Sequence, residues 1–250
     1  MYRFFTESPN ISGGRVRITG DDVNHIKNVL RMRKGEEILV CTGQEDDPAE
    51  YSCTIEELCP DEVIAKIIDM RASARELPSK IYLYQAIPKG DRFETVIEKC
   101  VELGVYKIIP VLTKRTIVKI DPKKEQKKTA RWNAVSLSAA KQSKRSVIPC
   151  VAQPLSFAEA LEAAAEQDVN LVPYENAEGI GYTRKVIGDI RPGQSVGIFI
   201  GPEGGFEESE VRALEERGSR IVTLGHRILR TDTASMSILA MLMLHLEQEG

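Results

Sequence analysis

The chain has 250 residues, 42% of them hydrophobic and 28% charged, with a formal net charge of −3. That length exceeds a single modal domain of roughly 100–150 residues, so two globular domains are expected and a disordered chain is excluded. Five cysteines (Cys41, Cys53, Cys59, Cys100 and Cys150) form an odd set without a CxxC pair, which fits neither a disulfide framework nor a zinc site and suggests reduced thiols in a cytoplasmic protein without a bound metal.

The opening MYRFFTESPN has no continuous apolar run, so no signal peptide is expected. From Arg15 to Ile68, short β-branched runs (Val16 to Ile18, Ile38 to Cys41, Ser52 to Ile55, Val63 to Ile68) alternate with turn clusters at Lys34-Gly35 and Gly43 to Pro48. This pattern predicts a small antiparallel barrel or sandwich. A helix over Asp21–Leu30, with Val23, Ile26, Val29 and Leu30 at helical spacing and an Asp cap, interrupts it. The polar stretch Met70 to Ser79 reads as an interdomain linker, giving domains at 1–72 and 80–250 with a linker at 73–79.

After Ser79 the pattern becomes alternating strand and helix. Ile81 to Ile87 and Lys107 to Leu112 read as strands; between them Asp91 and Glu94 open a helix whose stripe is Phe93, Val96, Ile97, Cys100 and Val101, closed by Gly104. Cys100 on that stripe reads as a small buried hydrophobe. A Lys-rich helix over Pro122–Lys144 follows, then a strand at Val147 to Val151, a capping box Ser156 to Glu159 and a strand at Val169 to Pro173. Next come the apolar strand Ser195 to Ile200, a helix Glu207–Arg217, a strand Arg220 to Leu224 and a last helix Thr233–Leu246. Regular alternation predicts an α/β fold with a parallel sheet. The last helix is apolar nearly all round, which points to a subunit interface, a buried core helix being the other reading. Its apolar run, Ile238 to Leu246, is about half the ~20 residues a bilayer span needs, so no membrane crossing is expected.

Charge is unevenly spread. Lys107 to Arg145 holds twelve Lys or Arg against two acids, and Glu36 to Glu76 reverses the balance, twelve acids against three bases. A basic face beside an acidic remainder suits a phosphate-backbone binder, a solvated Lys-rich helix being the bland alternative.

Two segments carry the chemistry: IGPEGGF (Ile200 to Phe206) and LGHRILRTDTAS (Leu224 to Ser235). Each follows a strand, and the carboxyl ends of strands are where open α/β sheets bind ligands. Gly201, Gly204 and Gly205 let the backbone turn and approach a ligand that a Cβ would exclude. They form neither a GK[ST] phosphate loop nor GxGxxG, and Glu203 would repel a phosphate but attract a cationic sulfonium. Gly225 turns the second loop, and Thr231 or Asp232 is placed to cap the last helix.

This pair of segments resembles the signature of the RsmE family of 16S ribosomal RNA methyltransferases. The likeness extends to MYRFF, HIKNVLRMRKGEEI (His25 to Ile38), QAIPKGDRFETVIEKCVELGV (Gln85 to Val105) and AAKQSKRSVIP (Ala139 to Pro149), with Lys141 standing where the pattern has an acid. The resemblance implies a PUA-like RNA-binding β-barrel followed by a SPOUT methyltransferase domain tied in a deep trefoil knot, which topology rules alone would argue against. It also implies a homodimer through the C-terminal helix, S-adenosylmethionine as cofactor, and methylation of N3 of a uridine in 16S ribosomal RNA or the 30S subunit. The implied cofactor residues are Val172, Gly201, Glu203, Leu224, Gly225, Ile228 and Leu229. The named RNA contacts are Arg3, Arg31, Arg33 and Lys34, with Gln142, Lys144 and Arg145 near the knot.

In-line methyl transfer needs donor and acceptor held in alignment, with no covalent nucleophile. The N3 proton must leave and the imide charge be stabilised; Arg230, a permanent cation beside the cofactor loop, is assigned that role. His226 is a base or a structural histidine, and Glu203 has a structural alternative. A non-catalytic RNA-binding assembly protein keeping a methyltransferase fold is the rival function; a phosphate-handling enzyme lacks its loop.

Overall fold

The computed structural model describes residues 1–118, 122–175, 177 and 179–247. It divides into two units, Met1–Glu76 with Ala140–Ile148, and Leu77–Ala139 with Pro149–Gly250.

In the first unit the strands are β1 (Tyr2–Phe5), β2 (Ile11–Ser12), β3 (Arg15–Thr19), β4 (Glu37–Cys41), β5 (Ala49–Leu58) and β6 (Glu62–Ala72), with a short helix α1 (Asp21–Asn24) after β3. On β3 the two-residue period is plain: Val16 and Ile18 are buried between exposed Arg15, Arg17 and Thr19. The six strands form one sheet in the order β1-β4-β5-β6-β3-β2, antiparallel except for the β1/β4 pair. The sheet curls far enough that Thr6, just past β1, donates its hydroxyl to the Arg17 carbonyl on β3 at 2.7 Å. Phe4, Val16, Ile18, Ile38, Ile55 and Val63 fill the concave side, each such buried side chain contributing about 1.5–3 kcal/mol.

The helix expected over Asp21–Leu30 is α-helical only to Asn24; His25–Val29 is a π-helical turn in which the Leu30 N–H reaches the His25 carbonyl at 2.9 Å. Asp21 does not cap it, since Gly20 occupies the cap position. The widened turn keeps Ile26 in the core while leaving Val29 64% exposed.

Buried charge ties Ala140–Ile148 into this unit. Arg3 donates to Glu50 at 2.7 Å with both side chains about 5% exposed or less, and to the Arg145 carbonyl and Ser146 Oγ. Ser146 Oγ donates to Glu50 at 2.9 Å, and Ser73 Oγ to the same carboxylate oxygen at 3.2 Å. Glu76 accepts from Arg145 and from the Ser146 and Val147 N–H groups at 2.9 and 3.2 Å. Several expectations change here. Residues 73–76 are anchored rather than a free linker, and 140–148 belongs with the N-terminal unit although 80–250 was expected as one domain. The strand expected at Val147 to Val151 is split, because Val147 bridges Gly43 within the first unit and only Cys150–Val151 is extended in the second. Arg3 and Arg145, expected to face RNA, are consumed in these buried pairs. Lys141 pairs with Asp22 at 2.7 Å.

The second unit contains β7 (Ile81–Ala86), α2 (Arg92–Glu102), β8 (Lys107–Leu112), α3 (Pro122–Gln142, counted here to Ala139), β9 (Cys150–Val151), β10 (Leu155–Ser156), α4 (Phe157–Ala164), β11 (Val169–Pro173), α5 (Ile180–Gly188), β12 (Val196–Ile200), α6 (Glu208–Glu216), β13 (Arg220–Val222) and α7 (Thr231–Leu246). All its strand pairs are parallel, in the order β10-β8-β7-β12-β11-β13 with β9 beside β8. β12, at the centre, is buried at every position, and its Phe199 stacks on Tyr84 of β7 with centroids 4.5 Å apart.

The helix stripe read from spacing, Phe93 to Val101, is buried, and Phe93 meets Trp132 of α3 edge-on. Ser156 and Glu159 form the expected capping box; Asp91 supplies its carbonyl to Glu94 rather than a side-chain cap. α7 buries Ile238, Leu239, Leu242 and Leu246 against α2 and α5, yet Leu244 is 80% exposed and Met236, Ala240 and Met243 are half-buried. No helix among the described residues is long and apolar enough to cross a membrane.

Burial by itself pushes the Glu50 carboxyl up, but the hydrogen bonds and charge of Arg3, with Ser146 and Ser73, hold it below the ordinary carboxylate range. A depressed folded-state pKa adds stability above the unfolded value and loses it as pH falls through the folded one. Glu50→Gln leaves Arg3 a buried, uncompensated charge, so the unfolding free energy is expected to drop by about 3–5 kcal/mol at pH 7. The gap to the parent chain should narrow as pH falls below the ordinary carboxylate range and through the depressed folded-state value, where the parent carboxyl also protonates; urea titrations at neutral and acidic pH measure it.

Candidate active site

Strands β12, β11 and β13 lie side by side and parallel, so the loops leaving their carboxyl ends open on one crevice. A cavity of about 590 Å³ occupies it, within the range of small-molecule sites. Pro173, Tyr174 and Glu175 line it after β11, Ile200 to Phe206 after β12, and Thr223 to Gly225 with Arg227 to Thr231 after β13.

The turn after β12 is shaped by Gly201. A Cβ there would lie 3.0 Å from the Phe206 nitrogen and 3.2 Å from the Gly205 carbonyl carbon, so glycine lets the loop fold back on itself. A Cβ on Gly204 would meet only the Arg115 side chain at 3.7 Å, an ordinary contact. The tight turn read from the sequence is therefore present, but at Gly201 the close approach is to the loop's own backbone. Gly205 and Gly225 take positive φ, +67° and +113°, which side chains rarely tolerate.

The two loops are fastened by a buried ring of hydrogen bonds. Thr231 Oγ1 donates to the Gly201 carbonyl at 2.7 Å and accepts from Gln85 Nε2 at 2.9 Å. Ser235 Oγ, one turn along α7, lies 2.5 Å from Gln85 Oε1 and 2.9 Å from the Thr231 carbonyl. Gln85, on β7 opposite Ile200, and Ser235 are both fully buried. Thr231 thus serves as an anchor; it is the first residue of α7, with Arg230 in the cap position and no side-chain cap, so neither Thr231 nor Asp232 caps the helix as expected.

Glu203 accepts from the Lys89 N–H at 3.0 Å and from Arg92 at 3.2 Å. Its charge is shared with a guanidinium, and it ties the loop after β7 to the loop after β12. Gly201, Glu203, Leu224, Gly225, Ile228 and Leu229 all line the cavity, as does Arg230. Val172 does not: it is fully buried in the core with Tyr84 and Phe199, and its neighbours Pro173 and Tyr174 face the cavity instead. His226 is exposed and does not line the cavity. Arg230 is exposed at the cavity and its guanidinium has no partner among the described residues.

Sequence reading did not single out Gln85, Arg92, Arg115 or Arg227. A glutamine inside an apolar strand was the one available signal for Gln85; the arginines were lost among many surface cations. In the first unit Arg31, Arg33, Lys34, Gln142 and Lys144 are exposed, unlike Arg3 and Arg145. Among the described residues no cluster of His, Cys, Asp or Glu could hold a metal ion.

A family model described as an RNA methyltransferase domain matches residues 75–243, and one described as an RNA methyltransferase PUA domain matches residues 18–68. The chain is 37% identical to a ribosomal RNA small subunit methyltransferase E from Bacillus subtilis, over 94% of this chain and 90% of that one. It is 34% identical to the protein of that name from Mesomycoplasma hyopneumoniae, over 96% and 97%. Among solved structures, a ribosomal RNA small subunit methyltransferase E from Neisseria gonorrhoeae bound to S-adenosyl methionine superposes with a TM-score of 0.82 at 34% identity, covering 96% of this chain and 95% of that chain. A putative methyltransferase from Legionella pneumophila with bound S-adenosylmethionine gives 0.82 at 33%, covering 97% and 96%.

Thr231→Val removes the donor to Gly201 and the acceptor for Gln85 within a buried ring. The expected cost is about 1–3 kcal/mol of stability, with Thr231→Ser costing less than half as much; thermal and urea unfolding of both variants measure it.

Proposed function

Because the chain belongs to the ribosomal RNA small subunit methyltransferase E family, we propose that it transfers a methyl group from S-adenosylmethionine to N3 of a uridine in 16S ribosomal RNA. The observation that carries the reading is the cavity itself: two family-defining loops are fastened together at the carboxyl ends of adjacent parallel strands, with no phosphate loop.

The residues present fit the cofactor. Leu224, Ile228 and Leu229 offer apolar surface, Gly201 to Gly205 and Gly225 offer main-chain groups, and the volume suits a nucleoside with an amino-acid arm. S-adenosylmethionine supplies an electrophilic methyl group on a sulfonium. The chain's own part is to hold that group against the base and to stabilise charge. Arg230 is the charge stabiliser: a permanent cation at the cavity without a protein partner among the described residues. It faces the imide charge left when N3 loses its proton to water. Glu203 acts through structure, holding the loops after β7 and β12 together through Lys89 and Arg92. The non-catalytic reading is not favoured, since relatives matched along their length are solved with the cofactor bound.

The same reading extends to architecture. The first unit is the PUA-like barrel, with Arg31, Arg33, Lys34, Gln142 and Lys144 as its RNA contacts. The second is a SPOUT domain whose C-terminal segment is tied in a deep trefoil knot, a reading supported by β12 lying between β7 and β11 and by α7 bonding to both Gln85 and Gly201. The apolar outer face of α7, Met236, Ala240, Met243 and Leu244, makes it the seam of a cytoplasmic homodimer.

Calorimetric titration is expected to show S-adenosylmethionine binding; no binding at millimolar cofactor sinks the enzyme reading. Arg230→Ala should slow methylation by about 10²–10³-fold with cofactor affinity nearly intact, and an equal loss of both makes Arg230 a binding residue only. Nucleoside mass spectrometry of ribosomal RNA from a deletion strain should lose 3-methyluridine. For the seam, Leu244→Glu should halve the mass measured by light scattering while the circular dichroism spectrum stays unchanged.

A further inference from the structure

Four arginines, Arg92, Arg115, Arg227 and Arg230, line the cavity against two carboxylates, Glu175 and Glu203. This is a local excess of cations in a chain whose formal charge is −3. The cofactor's single carboxylate can use at most one of these cations, and its sulfonium is repelled by them. The remaining excess suits a second, anionic group arriving at the same mouth.

Arg115 is the most firmly placed of the four. It sits in the turn after β8, closed by Thr113 and Thr116, whose hydroxyls lie 2.8 Å apart. The turn is pinned to α6, where buried Glu210 accepts the Lys114 N–H at 2.9 Å and Glu207 takes the Lys114 ammonium at 2.7 Å. From there Arg115 donates one N–H to the Gly204 carbonyl at 2.8 Å. That contact fixes the guanidinium without neutralising it, and other donors of the fork remain for a ligand. Arg92, the first residue of α2, reaches Glu203, the residue before Gly204. The 202–205 loop thus carries a guanidinium on each of two adjacent residues, one paired with the Glu203 carboxylate and one held by a neutral carbonyl, with Glu207, itself paired with Lys114, as its nearby acid.

We propose that Arg115 and Arg92 clamp phosphodiester groups of the substrate RNA beside the target nucleotide. The inference rests on the methyltransferase reading and adds the residues that hold the RNA at the cofactor's mouth. The chemistry matches: a planar guanidinium fork pairs with two phosphate oxygens. An extruded base costs a few kcal/mol that contacts to its flanking phosphates must offset. Arg115, held by a neutral carbonyl and not by a carboxylate hydrogen bond among the described residues, carries the larger share.

The test uses the full chain, with RNA affinity, cofactor affinity and methylation measured separately. Arg115→Gln should raise the dissociation constant for small-subunit RNA about tenfold and flatten its log–log salt dependence by about 0.7–0.9. Cofactor affinity, measured without RNA, should change by less than RNA affinity does, since the loop keeps its other ties through Glu203 and Thr231. Arg92→Gln should shift RNA affinity in the same direction by less. An unchanged salt slope in both variants overturns the clamp. So does a tenfold loss of cofactor affinity with RNA binding intact, which would assign Arg115 to the cofactor's carboxylate. Because RNA binding is read without cofactor, a parent protein that binds RNA with the expected slope but never methylates it would refute the enzyme reading and leave the clamp standing.

Discussion

A single hydroxyl sets much of the second unit's geometry. Thr231 Oγ1 faces the Gly201 carbonyl at the end of β12 on one side and the Gln85 amide at the end of β7 on the other, and it sits at the first residue of α7. Moving any one of these displaces the other two. In a buried, low-dielectric setting an unmade hydrogen bond is costly, so the ring has essentially one arrangement. The fold of the Gly201 turn, the start of α7 and the position of Arg230 all follow from it. The cavity walls are thereby tied to β7, β12 and α7, although the residues that line them lie on loops.

The loop after β12 is also held from outside, by Glu203 to the loop after β7 and by the Gly204 carbonyl to Arg115. Preorganisation of this kind matters for a reaction that needs alignment more than chemical participation, because alignment is lost by small displacements. It also divides labour among charges. Glu203 and Arg92 compensate each other, Lys114 is spent on Glu207, and Arg115 and Arg230 keep a net positive face toward the opening. The arginines that look alike in the sequence differ in what they touch.

That difference marks the limit of what could be read from residues alone. The parallel sheet, the α2 stripe and the Ser156 capping box follow from local periodicity and short-range chemistry, and local rules suffice for them. The two glycine loops were legible because three glycines after a buried strand are unusual. The purpose of Gly201, a fold-back against Phe206 and not room for a ligand, was not, because it depends on a backbone four and five residues away. Long-range pairing was invisible altogether: Gln85 with Ser235 spans 150 residues and Arg3 with Ser146 spans 143. Arg3 and Arg145 were mistaken for RNA contacts since a cation's fate is decided by which carboxylate folding brings to it. Val172 points into the core while Pro173 and Tyr174 line the cavity, a matter of strand register.

The buried carboxylates Glu50 and Glu76 have a consequence for how the molecule is made. Their partners Arg145 and Ser146 lie about seventy to a hundred residues further along the chain. During vectorial synthesis, at about 5–20 residues per second, the N-terminal sheet emerges well before the segment that neutralises and covers its polar centre. Until Ile148 has been made, the sheet holds Glu50 beside Arg3 without Ser146, and Glu76 without its donors. The N-terminal unit is sequential in most of its strands yet finishes only after β7, α2, β8 and α3 have been translated. That late closure joins the ends of a long loop, which costs more chain entropy than the hairpins that form most of its surface.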